Sequence, residues 1–238
     1  MEILLLFSVV AFLYASVGHG GASGYIALMA IFAFPQTEIK TNALFLNIFV
    51  SFISFTQFFK KEEFPFNLFF ILIIFSIPMA FLGGMWTLDN RWYKIILGLI
   101  LFIPIVKFLG FFPKMQFQVK QNLLLVIVLG LLIGLLSGLL GIGGGIILSP
   151  ILIFLGWCTV KQTAAVSAIF IFVNSLAGLL GKSFATLQFS ENIVQILIFT
   201  LFGGILGGFF VAFLFIILWI QYTLAFVLII ACFKLFTP

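Results

Sequence analysis

Along the chain, long apolar runs are cut by short polar ones. Runs at 2–17, 38–59, 64–86, 92–110, 122–140, 160–180, 192–213 and 217–236 approach or exceed the roughly 20 helical residues that cross about 30 Å of hydrocarbon. Two shorter apolar pieces, 25–34 and 146–156, each follow a glycine cluster. Ten or eleven helical residues reach only about 16 Å, so these pieces are predicted as half-helices or re-entrant arms. The connections are short: Lys60-Lys61-Glu62-Glu63, Asp89-Asn90-Arg91, and the longest from Phe112 to Gln121. The pattern predicts an all-α polytopic membrane protein of about eight transmembrane helices.

The sharpest break in this pattern is Gly138-Leu139-Leu140-Gly141-Ile142-Gly143-Gly144-Gly145, running on to Ser149 and Pro150. Each glycine costs a helix interior roughly 1 kcal/mol relative to alanine. A cluster of them in hydrocarbon frees backbone groups that lipid cannot satisfy. The break therefore faces protein or a water-filled cavity, and the helix that follows aims its N-terminal amides there, an arrangement that suits an anion. The competing reading is close helix packing through small residues.

Composition agrees. Of 238 residues, 64% are hydrophobic and 7% charged, too few charges to cover a water-facing globule. The net charge of +5 comes from scattered loop lysines, which fit a membrane face and give no block for nucleic acid. No secretory leader stands apart in Met1–Val17. Cys158 and Cys232 are far apart and near apolar spans, so buried free thiols are expected. The 35 phenylalanines are spread over all spans and read as packing and lipid-facing mass.

The two halves resemble each other. Gly18-His19-Gly20-Gly21 aligns with Gly141-Ile142-Gly143-Gly144 at an offset of 123, and Gly83-Gly84 with Gly207-Gly208 at 124. Lys40-Thr41 loosely matches Lys161-Gln162-Thr163, and Tyr93 and Lys107 echo Tyr222 and Lys234. These matches predict two homologous repeats, 1–116 and 117–238, each with a glycine-broken helix and a short arm. Paired interrupted helices point to a transporter's binding site. If each break lies within one span, the repeats are parallel; if the arms count as crossings, they are inverted. The lysine distribution mildly favours parallel repeats with both termini cytoplasmic.

With Pro150 and the following Ala164-Ala165-Val166-Ser167-Ala168, the Gly141-Ile142-Gly143-Gly144-Gly145 run resembles the sulfite exporter TauE/SafE family, the toluene sulfonate uptake permease group of anion transporters. The first copy departs from it: Ala22 stands where a further glycine would be expected, and His19 fills the variable place. The resemblance covers nearly the whole chain. It implies a bacterial inner-membrane transporter of sulfite, thiosulfate, sulfonates or sulfoacetate in sulfur metabolism, without naming the anion or the direction.

The candidate substrate-binding residues are Gly18, His19, Gly20, Gly21, Ser23, Thr41, Asn42, Gly141, Gly143, Gly144, Gly145, Thr163 and Ser167. His19, the only histidine, either hydrogen-bonds an anion or satisfies a freed carbonyl. Thr41, Asn42, Thr163 and Ser167 are equally readable as ligands or as interhelical glue, whereas Asn47 and Asn174 read as glue. Lys40 and Lys161, at span starts, are expected to snorkel to the interface. Ser23 and Ser149 have no histidine at motif spacing, no catalytic constellation appears, and one histidine with two separated cysteines is too few for a metal site. No cofactor is implied, and the protein is expected not to be an enzyme.

Every acid falls at a predicted end or loop, so no mid-span carboxylate offers a proton relay. Facilitated anion export driven by the membrane potential follows as the expected mechanism, its partners being a small anion and membrane lipid. An anion channel and a non-transporting scaffold or assembly factor are the alternatives. The oligomeric state, a homodimer included, is not set by the sequence.

Overall fold

The computed structural model describes residues 2–59, 64–108, 119–182 and 187–210, together with position 229. The apolar runs become helices α1 (Glu2–Ala15), α2 (Ala22–Ile31), α3 (Gln36–Phe59), α4 (Phe66–Met85), α5 (Asn90–Phe108), α6 (Leu123–Leu140), α7 (Gly145–Phe154), α8 (Val160–Gly181) and α9 (Ile193–Phe210). The span expected at 217–236 lies outside the described residues. Helices α3, α4, α6 and α8 are each long and apolar enough to cross a membrane. The fold is an all-helical, multi-pass membrane protein.

Helices α3 and α8 pack side by side and run in opposite directions. Lys182, just past the end of α8, donates to Thr41 near the start of α3 (2.6 Å), and Asn47 further along α3 donates to Ser175 (2.9 Å). Helix α4 returns beside α3, so that its last turn meets Lys40. The end of the bundle where α3 starts and α4 and α8 finish is called the first face below.

Both short arms turn back. In α2, Ser23 bonds Tyr14 (2.8 Å) and Tyr25 stacks on Phe7 with ring centroids 5.8 Å apart, so α2 retraces α1 towards the first face. At the far end of α7, Leu155 accepts from the Val119 N–H (3.2 Å) and Trp157 donates to the Val119 carbonyl (2.7 Å). Helix α7 thus returns to the face from which α6 started. The result is two helical hairpins, α1–α2 and α6–α7, entering from opposite faces. With each hairpin returning to its own face, the senses of α3 and α8 are opposed. Of the two arrangements the sequence left open, these opposed senses are those of the inverted one. Lys40 and Lys182 both sit buried at the first face.

Long arms of the hairpins pair across the halves, α6 with α4 and α1 with α9. A β-carbon at Gly130 would stand 2.9 Å from the Leu72 carbonyl oxygen, and ones at Gly134 and Gly138 would land on the carbonyls of Ser76 and Ala80. This glycine row, spaced by four, lets α6 lie in parallel on the backbone of α4, as small residues do between membrane helices. Gly83 of α4 meets the Leu135 carbonyl in return, and the other pair repeats the device: Gly203 of α9 sits on the Ser8 carbonyl and Gly207 on that of Phe12.

Candidate functional site

The two glycine breaks converge on one side chain. Asn47 is buried, close to the middle of the 24-residue α3, and touches both. Gly20 of the first break and Gly143 of the second each lie so close to it that a β-carbon would overlap its amide. Its Oδ1 accepts from the Ala22 N–H at the start of α2 (3.2 Å), and its Nδ2 donates to Ser175. Around it, the N-termini of α2 and α7 meet head on, since α2 leads away to the first face and α7 to the second.

Backbone geometry at both starts demands glycine. Gly21 precedes α2 at φ 93° and Gly144 precedes α7 at φ 79°, and neither supplies a side-chain cap. Two short helices therefore present first-turn amides to a buried junction, each with the partial positive charge of its dipole. Tyr25 adds to this end: its buried hydroxyl finds no hydrogen-bond partner among the described residues and lies against Gly21.

His19 ties the first break to the second hairpin. Its Nε2 is 2.9 Å from Ser149 of α7, and Ser149 is 2.8 Å from Ser167 of α8. Its Nδ1 lies 3.0 Å from the Val17 carbonyl, which can only accept, so Nδ1 carries a proton. Sequence spacing gave Ser149 no histidine; the fold supplies one from 130 residues away. Ser149 also donates to the Gly145 carbonyl (2.8 Å). The cluster is a polar latch across the two hairpins and α8.

The remaining candidates divide. Gly18 packs on Ala164, Gly141 on Lys40, and Gly145 on Ile171. Ser23 is committed to Tyr14 inside the first hairpin. Thr163 is buried near the start of α8, its hydroxyl without a hydrogen-bond partner among the described residues. Thr41 and Asn42 are not at the breaks. Thr41 binds Lys182, and Asn42 accepts from the Ser190 N–H at 3.3 Å.

Lys40 corrects the snorkelling expectation. It is buried and donates to the carbonyls of Gly83 (3.1 Å), Gly84 (3.2 Å) and Trp86 (3.2 Å), satisfying groups that the end of α4 leaves open. Lys161, by contrast, is exposed. Together Lys40 and Lys182 line a cavity of about 200 Å³ at the first face, rimmed by exposed Gln36, Thr37, Trp86 and Thr87. Burial holds the Lys182 ammonium below its ordinary range.

Opposed hairpins with a buried polar junction define the class: a multi-pass helical membrane transporter. The chain belongs to the sulfite exporter TauE/SafE family, whose sequence model matches residues 3–235. It is also similar to the probable membrane transporter protein y4hK of Sinorhizobium fredii (strain NBRC 101917 / NGR234), with 35% identity over 188 residues and 74% of each chain covered. No solved structure matches.

Proposed function

We propose that the chain exports small sulfur-containing or organic anions, such as sulfite, thiosulfate, sulfonates or sulfoacetate. They would bind where the N-termini of α2 and α7 face each other beside Asn47. One observation carries this reading: two uncapped helix starts of opposite direction meet at a buried point midway along α3. First-turn amides and hydroxyls can replace an oxyanion's water without a buried lysine or arginine. The binding set comprises His19, Gly20 and Gly21 from the first break and Gly143, Gly144 and Gly145 from the second, with Ser167 through the latch, while Gly18 and Gly141 shape the turns beside it. Tyr25 is added to the set. The reciprocal contacts of Gly83 with Leu135 and Gly207 with Phe12 support reading 1–116 and 117–238 as duplicated, inverted repeats.

A potential negative inside acts on a net anion with about 2.3 kcal/mol per charge per 100 mV, which suffices to drive export without a coupled ion. Proteoliposomes loaded with sulfite, thiosulfate or a small sulfonate, with the potential set by potassium and valinomycin, test this. Efflux should follow the potential and saturate with anion concentration. Non-saturating conductance would indicate a channel, and no flux of any anion a scaffold. Flux indifferent to potential but abolished without a proton gradient would establish obligatory proton coupling instead.

A further inference from the structure

Beyond the hairpin junction, we infer that the first-face cavity is a second anion site, built for one oxyanion group on a small apolar body. The cavity's floor holds two buried ammonium groups with unequal commitments. Lys40 gives its three N–H groups to the carbonyls of Gly83, Gly84 and Trp86, so it supplies charge and no free donor. Among the described residues, the Lys182 ammonium makes one hydrogen bond, to Thr41, which leaves two N–H groups for a ligand. Neither ammonium is in ion-pair contact with a carboxylate among the described residues, and neither Glu38 nor Asp89 lines the cavity.

Buried charges are ordinarily paired, because desolvation penalises the bare ion. The helix end at α4 offsets Lys40. Lys182, the C-cap of α8, has that helix end and the Thr41 hydroxyl beside it but no anionic partner among the described residues, and a single oxyanion completes it. Thr37 and Thr87, both among the exposed lining residues, bring hydroxyls to the cavity. Trp86, Tyr93 and Leu139 make the rest of the wall apolar, which favours an organic sulfonate or carboxylate over a bare inorganic ion. A volume of about 200 Å³ is below that of a drug-sized pocket, so the body is short.

This site does not depend on the hairpin junction, and the test separates the two. Purified protein in lipid-free detergent is titrated with 1-propanesulfonate by calorimetry, with sulfate and phosphatidylglycerol as parallel titrants. Saturable propanesulfonate binding is expected, at least tenfold weaker in Lys182→Gln and several-fold weaker in Thr87→Val. A junction variant, Asn47→Asp, should keep that binding while losing flux. Unchanged affinity in both Lys182→Gln and Thr87→Val overturns the proposal. So does a heat signal from phosphatidylglycerol alone, which would make the occupant a lipid phosphate. Should Lys182→Gln fail to fold, Thr87→Val on the exposed rim decides the matter.

Discussion

Replacing Asn47 separates its holding role from its electrostatic one. In Asn47→Asp the carboxylate is nearly isosteric, its oxygen can still accept from the Ala22 N–H, and the Ser175 hydroxyl can turn to donate. The hydrogen bonds exchange nearly evenly, but desolvating the new carboxylate at this buried position should cost folding about 2.5–3.5 kcal/mol. The new charge also sits where an anion is proposed to bind. At about 4 Å and an effective dielectric of about 20, repulsion is about 4 kcal/mol, or roughly a thousandfold in anion affinity. In Asn47→Ala no charge is added, but bonds of 3.2 and 2.9 Å are lost. At about 0.6–1.7 kcal/mol each, plus about 1–3 kcal/mol for a buried unpaired Ala22 N–H, destabilisation is about 2–6 kcal/mol. Thermal unfolding and proteoliposome efflux at pH 7.5 are measured on both. Wild-type flux in a well-folded Asn47→Asp protein would refute anion passage between the helix starts.

Other perturbations act elsewhere. Gly134→Leu should cost at least about 1–3 kcal/mol, because its side chain must displace the Ser76 carbonyl; an unchanged melting temperature would contradict the α4–α6 contact. Ser149→Ala breaks the latch to His19 and Ser167 and should lower stability by about 1–3 kcal/mol, read by thermal unfolding, while altering any pH dependence of efflux in the same sense as His19→Gln. Cys158, buried in the α7–α8 turn, has its thiol pushed up to about 11 by burial. In a Cys232→Ser background, maleimide labelling should thus be slow at pH 7 and quicken about tenfold per pH unit below 11, as the thiolate fraction grows. A pH-independent labelling rate would contradict its burial.

Spans and breaks were legible because both are local. An apolar run of helical length and a glycine cluster within it are properties of neighbouring residues, and α3, α4, α6 and α8 fall within two residues of their expected bounds. The partners were not legible. Asn47 looked like any interhelical amide until folding set Gly20 and Gly143 against it, and Ser149 lacked a histidine until the hairpins crossed. Lysine counting gave only a mild lean on topology for a related reason: it assumes exposed charges, and Lys40 and Lys182 are buried.

The glycine rows also decide which bodies can move. Helix α6 is fitted to the backbone of α4, and α1 to that of α9, with too little space between them for a single methyl group at Gly138 or Gly203. Tight fits of that kind slide or tilt as one piece. Helix α8 is fitted to α4 in the same way, at Gly84 and Gly181, so the mechanical units are α4–α6–α8 and α1–α9, each joining a hairpin from one half of the sequence to a helix from the other. Any rocking that exposes the junction to one face must carry both halves of the chain at once, and neither half could be exchanged, truncated or expressed alone without leaving a hairpin unclamped.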